Sequence, residues 1–116
     1  MKKGFYLSTC STCIRIKKEV SFPSDIEWVD IKSNPIGELD LEELYQKTGS
    51  YEAIFSKRSL KYAEIKEFVV NEESYRAWLL KEYTFLKRPV VIYDDFVSVG
   101  NDKQVIEALK IRFGAA

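Results

Sequence analysis

The chain has 116 residues, the length of one ordinary domain with a single hydrophobic core. An apolar share of 46% and an aromatic share of 14% argue against intrinsic disorder. Because 18 basic residues balance 18 acidic ones, no overall field attracts nucleic acid or an anionic membrane, and we expect neither as a direct partner.

No apolar run approaches the roughly 20 residues of a membrane span. The N-terminus becomes polar at Ser8, too early for the apolar region of a signal peptide. We therefore expect a cytoplasmic protein, and the sequence is compatible with a monomer. The absence of histidine excludes Ser-His and Cys-His catalysis and removes the commonest metal ligand.

The first third of the chain has the pattern of a strand, a helix and a second strand. Lys3 to Ser8 is predicted as a buried strand, and the apolar spacing that follows Cys10 predicts a helix. Phe22-Pro23 ends this helix, and the short β-branched segment 26–31 predicts the second strand. This order predicts a βαβ unit.

The middle of the chain is predicted to be helical. Asp40 and Glu43 resemble a capping box for a helix that ends at Gly49. Residues 51–66 lack a clean period, which favours short helical turns. Asn71 is predicted to cap a longer helix with an apolar face.

The last third predicts a β-hairpin and a final helix. Residues 90–93 and 96–99 are short apolar runs around an Asp-Asp turn. Asn101 and Gln104 resemble a capping pair for a helix that stops at Gly114. The whole order, with C-x-x-C after the first strand, predicts an α/β, thioredoxin-like fold with a mixed four-stranded sheet and helices on its faces.

The only two cysteines, Cys10 and Cys13, stand at the predicted strand-to-helix turn. Free N–H groups and the positive end of the helix dipole favour a thiolate at Cys10. Cys13 lies one turn along the same helix face, where it can attack a mixed disulfide formed on Cys10. We predict that Cys10 is the nucleophile and Cys13 the resolving thiol, with Ser11 and Thr12 between them as candidate substrate-binding residues.

Two other interpretations of the cysteine pair stay open. A closed zinc site needs four ligands, and the chain has neither a second cysteine pair nor a histidine, so we predict no metal site within one chain. A site shared by two chains, or completed by carboxylates, is the first alternative, and two packed cysteines without chemistry are the second. A phosphatase-type C-x5-R loop is excluded, because only four residues separate Cys10 from Arg15.

The chain contains two basic pairs, Lys57-Arg58 and Lys87-Arg88, and such pairs usually lie on a solvated surface. Arg88 differs because Pro89 follows it at the start of a predicted buried strand, where a cis peptide bond is plausible. If this step faces the cysteines, the planar guanidinium of Arg88 can hold an anionic or thiolate-bearing substrate near Cys10.

Four segments occur in order along nearly the whole chain: FYLSTCSTCIRIKKEV, DIKSNPIGELDLEELYQKTG, AIFSKRSLKY and FLKRPVVIYDDFVSVGNDKQVIEALK. Together they resemble the ArsC/Spx family, the glutaredoxin-linked arsenate reductases and their redox-regulator relatives. The resemblance implies that residues 1–116 form one ArsC-like domain with a helical insertion at about 39–86. It also implies that Cys10 is the reactive cysteine and that Arg88 precedes a cis-proline, Pro89.

The departures from that family concern its arginines. Arsenate reductases of this type hold the oxyanion with three arginines, but Ser56 stands where the first is expected and Gly100 or Asn101 where the third is expected. Arg88 matches the remaining one, and Arg58 lies in an SKRS segment similar to the Spx branch. Because each lost charge-assisted contact is worth about 1.5–3 kcal/mol, we do not expect efficient arsenate reduction.

The leading hypothesis is a thiol-disulfide oxidoreductase without a bound cofactor, for which glutathione or another thiol is the reductant. Its substrate would be a small thiol, a disulfide, an oxyanion or a protein disulfide, bound by Arg88, Pro89, Arg58, Ser11 and Thr12. The alternative is an Spx-like redox-sensing regulator, because Spx carries C-x-x-C whereas the glutaredoxin-linked reductases typically use one cysteine. Its cysteine pair would switch its affinity for a partner such as RNA polymerase.

Overall fold

A computed structural model describes all 116 residues and contains four strands and five α-helices. The strands are β1 Lys2–Tyr6, β2 Glu27–Asp30, β3 Val90–Tyr93 and β4 Phe96–Val99. The α-helices are α1 Ser11–Glu19, α2 Glu38–Thr48, α3 Tyr62–Ile65, α4 Glu72–Lys81 and α5 Lys103–Phe113. Short 3-10 helices lie at Glu52–Ile54, Lys66–Phe68 and Tyr83–Phe85. None of the helices is long and apolar enough to cross a bilayer.

The chain forms two compact units. The first consists of Met1–Asn34 and Arg88–Ala116 and contains the four strands with α1 and α5. The second is the continuous segment Pro35–Lys87, which contains α2, α3 and α4. The segment 39–86, predicted as a helical insertion, lies within this second unit.

The sheet of the first unit has the strand order β2-β1-β3-β4. β1 runs parallel to β2, and α1 makes the crossover connection that a parallel pair requires. β3 is antiparallel to both β1 and β4, and the turn of the β3–β4 hairpin contains Asp94 at a φ of 54°. The predicted mixed four-stranded, thioredoxin-like sheet with flanking helices is confirmed.

Helices α1 and α5 bury apolar side chains against one face of this sheet. The buried core cluster there consists of Ile16, Val20, Ile26, Val91 and Leu109. The ring of Phe113, at the end of α5, packs against Phe22 and Phe96 with centroid distances of 5.5 Å. These contacts hold both helices against the sheet. They therefore fix where the N-termini of α1 and α5, and the segments that precede them, lie.

Trp28 packs across β1 at a position that only glycine accommodates. Gly4 is its partner in the parallel register, and a Cβ atom on Gly4 would overlap the six-membered ring of Trp28. The ring meets Phe22 edge-on at 4.9 Å, and the ammonium of Lys17 on α1 lies 4.8 Å from its centroid. Trp28 therefore links α1 to the sheet by packing and by a cation–π contact.

The second unit is built around the ring of Phe55. This ring stacks on Phe85 at 4.9 Å and meets Tyr75 edge-on at 5.0 Å. The flanking backbone forms a short antiparallel bridge, in which the N–H of Ser56 donates to the carbonyl of Phe85 and the N–H of Lys87 donates to the carbonyl of Ile54. The segment that leads into Arg88 is thereby held by main-chain hydrogen bonds.

Of the two caps predicted in the second unit, one is confirmed. Asn71 caps α4 through a reciprocal pair of hydrogen bonds with Ser74, at 2.9 and 3.0 Å. The predicted box at Asp40 is wrong, because α2 begins after Gly37 and Asp40 lies inside its first turn. The predicted end of this helix at Gly49 is confirmed, since Gly49 is the C-cap of α2 and has an αL backbone with a φ of 75°.

We expect Gly4→Ala to destabilise the first unit, because the added methyl group must displace the Trp28 ring. Overpacking of this kind costs about 1–3 kcal/mol, to be measured as a change in the free energy of unfolding by urea denaturation. Gly37→Ala is the matched control, since its Cβ would enter open space. Equal losses for the two variants would contradict the packing explanation.

Candidate functional site

The C-x-x-C segment occupies the junction of β1 and α1. Cys10 is the N-cap residue of α1, with an extended backbone at φ −92° and ψ 109°. Cys13 lies in the first turn and is completely buried, whereas Cys10 is half-buried. Both are free thiols, so the structure describes the reduced pair.

The turn before Cys10 is fixed by hydrogen bonds at both ends. The N–H of Cys10 donates to the carbonyl of Leu7 at 2.9 Å. The carboxylate of Asp30, at the end of β2, accepts hydrogen bonds from the N–H of Ser8 at 3.4 Å and of Lys32 at 3.2 Å. Hydrogen bonding by the Ser8 side chain is the main reason why the pKa of Asp30 lies below its usual value. An ionised Asp30 thus holds the loop that presents Cys10.

Several groups act on the thiol of Cys10. Partial burial opposes its ionisation, but hydrogen bonds from the N–H and the thiol of Cys13 favour the thiolate. The positive charge of Arg88 and the N–H of Thr12 add to them, so that the pKa of Cys10 falls below that of a free thiol. The thiolate of Cys10 is thus stabilised at the N-terminus of α1, and its role as the nucleophile stays a prediction.

The thiol of Cys13 shows the opposite displacement. Burial is the largest cause and raises the pKa of Cys13 to about 11. A hydrogen bond from the Leu7 backbone opposes this rise, whereas the hydrogen bond to Cys10 and its negative charge add to it. A protonated Cys13 can therefore donate a hydrogen bond to the Cys10 thiolate, which favours ionisation of Cys10 over ionisation of Cys13.

Arg88 is brought to this end of the sheet by strand pairing. β3 is antiparallel to β1 and Val90 pairs with Phe5, so the residues before β3 lie beside the end of β1, where the cysteine loop begins. The Arg88–Pro89 peptide bond is cis, and Pro89 is buried. The guanidinium charge of Arg88 lowers the pKa of both cysteines, which places it within electrostatic reach of both sulfur atoms.

The remaining candidate residues, Ser11, Thr12 and Arg58, lie in different parts of the chain. Ser11 is exposed and Thr12 half-buried, both in the first turn of α1. Arg58 is exposed and belongs to the second unit, in the segment after the 3-10 helix Glu52–Ile54. A role for Arg58 in substrate binding stays a prediction.

Two residues that bind the cysteine loop or Arg88 are not identified by the sequence pattern. Asp30 lies within the predicted strand 26–31, and the strand pattern alone assigns its side chain no role, although a polar residue beside the end of β1 can bind the loop that follows β1. Asn101 was predicted to cap α5, but the N-cap of α5 is Asp102. The amide of Asn101 instead donates to the carbonyl of Arg88 at 3.2 Å. Its hydrogen-bond partner is therefore distant in the sequence and does not belong to the helix that follows.

No group of three or more cysteine, aspartate or glutamate side chains lies close enough together to hold a metal ion.

We expect Arg88→Met to lower the reactivity of Cys10, because removal of a nearby positive charge raises the pKa of a thiol. The rate of iodoacetamide alkylation near neutral pH should fall by about three- to tenfold, since it follows the thiolate fraction. The rate is measured across a pH series by mass spectrometry of the Cys10 peptide.

Arg112→Met is the matched control for that change. The Arg112 guanidinium lies over the Phe96 ring at 5.6 Å and is not among the main groups that shift the pKa of either cysteine, so the Cys10 profile should stay as in the wild type. An unchanged profile in Arg88→Met would show that the guanidinium does not stabilise the thiolate.

The fold is similar to that of several solved structures. A protein from Bacteroides fragilis described as ArsC family related has 24% sequence identity and a TM-score of 0.70, with 95% of this chain and 100% of that chain covered. An arsenate reductase (ArsC) related protein from Brucella melitensis has 20% identity and a TM-score of 0.65, with 91% of each chain covered.

A third structure, from Streptococcus mutans UA159 and described as a possible arsenate reductase, has 20% identity and a TM-score of 0.71, with 93% of this chain and 96% of that chain covered. The sequence matches no protein-family model, and no curated protein matches it at a significant level. At these identities the structural similarities establish that the chain has the fold of the ArsC-related proteins.

Proposed function

We propose that the protein is a thiol-disulfide oxidoreductase of the ArsC-like group. The observation that supports this most directly is the pair of cysteines at the start of α1, whose pKa values are displaced in opposite directions. Titratable groups with separated pKa values at one site are typical of acid-base and nucleophilic chemistry. The fold shared with ArsC-related structures agrees with this proposal.

The first step is attack by the Cys10 thiolate on one sulfur of a substrate disulfide. A bond forms between the Cys10 sulfur and that sulfur, the substrate S–S bond breaks, and the second substrate sulfur leaves as a thiolate that takes up a proton. Cys10 is suited to this step because it is partly exposed and its thiolate accepts hydrogen bonds from the first turn of α1.

In the second step Cys13 loses its proton and attacks the Cys10 sulfur of the mixed disulfide, so that the Cys10–Cys13 bond forms, the bond from Cys10 to the substrate sulfur breaks, and that sulfur leaves as a thiolate that takes up a proton. In the reduced pair, the negative charge of Cys10 and its hydrogen bond both help to raise the pKa of Cys13. Both contributions disappear once Cys10 is bound in a disulfide, whereas the hydrogen bond from Leu7 and the charge of Arg88 continue to favour a Cys13 thiolate. Formation of the mixed disulfide therefore eases ionisation of the resolving thiol.

These two steps transfer two electrons from the protein to the substrate. The substrate disulfide becomes two thiols, and the protein is left with a Cys10–Cys13 disulfide. Two equivalents of a small thiol such as glutathione, or one dithiol, return the protein to its reduced form by the reverse exchange.

Arg88 has the position of a substrate-orienting residue in this scheme. Its guanidinium lies within electrostatic reach of the nucleophile, and its planar donors suit a carboxylate on a disulfide substrate. Ser11 and Thr12 in the first turn of α1 would contact the same substrate. We do not propose arsenate as a good substrate, because two of the three arginines expected for an oxyanion clamp are absent from the sequence.

We expect Cys13→Ser to accumulate the mixed disulfide, since the variant keeps the nucleophile and lacks the resolving thiol. The purified reduced variant is incubated with glutathione disulfide, and intact-mass spectrometry measures the glutathione adduct on Cys10. The wild type should instead progress to an internal disulfide, two mass units below the reduced protein, on loss of two hydrogen atoms.

Cys10→Ser is the matched control and should form no adduct, because Cys13 is buried and keeps its proton. A Cys13→Ser variant that forms no adduct with glutathione disulfide or with a disulfide-containing protein would defeat the proposed function. An adduct located on Cys13 would defeat the assignment of the two roles.

A redox-sensing regulator is the second candidate function, favoured by apolar side chains that the second unit exposes. Leu60, Phe68 and Val70 are 95%, 58% and 74% exposed, in the same part of the chain as Arg58. Such side chains suit a protein-binding surface.

We would expect only one redox form of the protein to co-elute with purified bacterial RNA polymerase. Equal co-elution of the oxidised and reduced forms would contradict the regulator function.

A further inference from the structure

The loop between β4 and α5 binds both carbonyl groups of the Arg88–Pro89 step. The side-chain amide of Asn101 donates to the carbonyl of Arg88 at 3.2 Å. The N–H of Gly100 donates to the carbonyl of Pro89 at 2.9 Å. Gly100 is buried and has a φ of 87°, a conformation that favours glycine. The turn at Gly100 therefore brings the side chain of Asn101 against the main chain of Arg88, just before β3.

The amide of Asn101 is not needed for the helix that follows it. The N-cap of α5 is Asp102, and Asn101 precedes it. The half-buried side chain of Asn101 is directed instead at a carbonyl thirteen residues earlier in the sequence. Its contact is with the residue whose charge favours the Cys10 thiolate.

We infer that Asn101 is a positioning residue, which fixes the main chain of Arg88 and so restricts where its guanidinium lies relative to the Cys10 sulfur. An arginine side chain has several rotatable bonds, and a fixed main chain limits where its charged end can lie. The inference rests on the proposed function, in which Arg88 orients an anionic substrate group near Cys10.

The test uses Asn101→Ala, which removes the donor and leaves Arg88 and both cysteines in place. Iodoacetamide alkylation of the reduced protein is followed across a pH series by mass spectrometry of the Cys10 peptide. We expect the rate near neutral pH to fall by about two- to fivefold, because a less well placed charge leaves a smaller thiolate fraction. An unchanged pH profile would overturn the inference.

Combination with Arg88→Met tests whether Asn101 acts through Arg88. Cys13 and Arg88 are the titratable or charged side chains that shift the pKa of Cys10. Asn101→Ala should therefore lower the alkylation rate no further when Arg88→Met is already present. An equal fall in both backgrounds would show that Asn101 acts on Cys10 by another route.

Asn71→Ala is the control for a general loss of stability. It removes an asparagine side chain that caps α4 in the second unit, so folding stability should fall while the Cys10 profile stays unchanged. An equal fall in alkylation rate for Asn71→Ala would overturn the positioning role. If Asn101→Ala does not fold, Asn101→Ser removes the same amide with a smaller change in polarity and is judged by the same outcomes.

The alkylation profile is measured without a disulfide substrate. The positioning role of Asn101 and the proposed oxidoreductase function are therefore tested independently. Failure of wild-type and Cys13→Ser protein to exchange with any disulfide would defeat the proposed function and leave the coupling between Asn101 and Arg88 intact. Normal exchange together with an unchanged Asn101→Ala profile would defeat the positioning role alone.

Discussion

Antiparallel pairing of β1 with β3 is the constraint on which the candidate site depends. The pairing of Phe5 with Val90 sets the end of one strand beside the start of the other, although 85 positions separate them in sequence. Cys10 follows the first strand and Arg88 precedes the second, so one register determines whether the guanidinium reaches the sulfur. Shifting that register by one residue would turn every side chain of β3 to the opposite face of the sheet and would move Arg88 with it.

The two thiols differ because the same helix end gives them different surroundings. Cys10, at the N-cap, meets N–H groups and the charge of Arg88, whereas Cys13 is enclosed one turn later. An environment that separates two identical groups can assign them different roles without any histidine or bound metal. The separation also depends on the state of the pair, since part of the displacement of Cys13 comes from the charge of Cys10.

The sequence was most informative where a residue acts on its own chain neighbours. Asn71 and Gly49 satisfy the ends of their helices locally, and both could be predicted from short patterns. Asn101 has the same chemistry as Asn71, but its partner is the carbonyl of Arg88, and no local pattern distinguishes the two cases. The mixed four-stranded sheet and the place of the cysteines at its first strand-to-helix turn could be predicted from the order of elements, whereas the contact of Asp30 with the cysteine loop depends on the pairing of β1 with β2.

The packing of Trp28 on Gly4 gives the protein an optical probe of the helix that carries its cysteine pair. The chain has two tryptophans, and Trp28 lies in the first unit while Trp78 lies in the second. Trp28 contacts the ammonium of Lys17, which is one helical turn beyond Cys13 on α1. Any displacement of α1 that accompanies oxidation of the pair would change the surroundings of this indole. With Trp78 replaced by phenylalanine, the emission of the remaining tryptophan would report on that helix in solution, without an added dye.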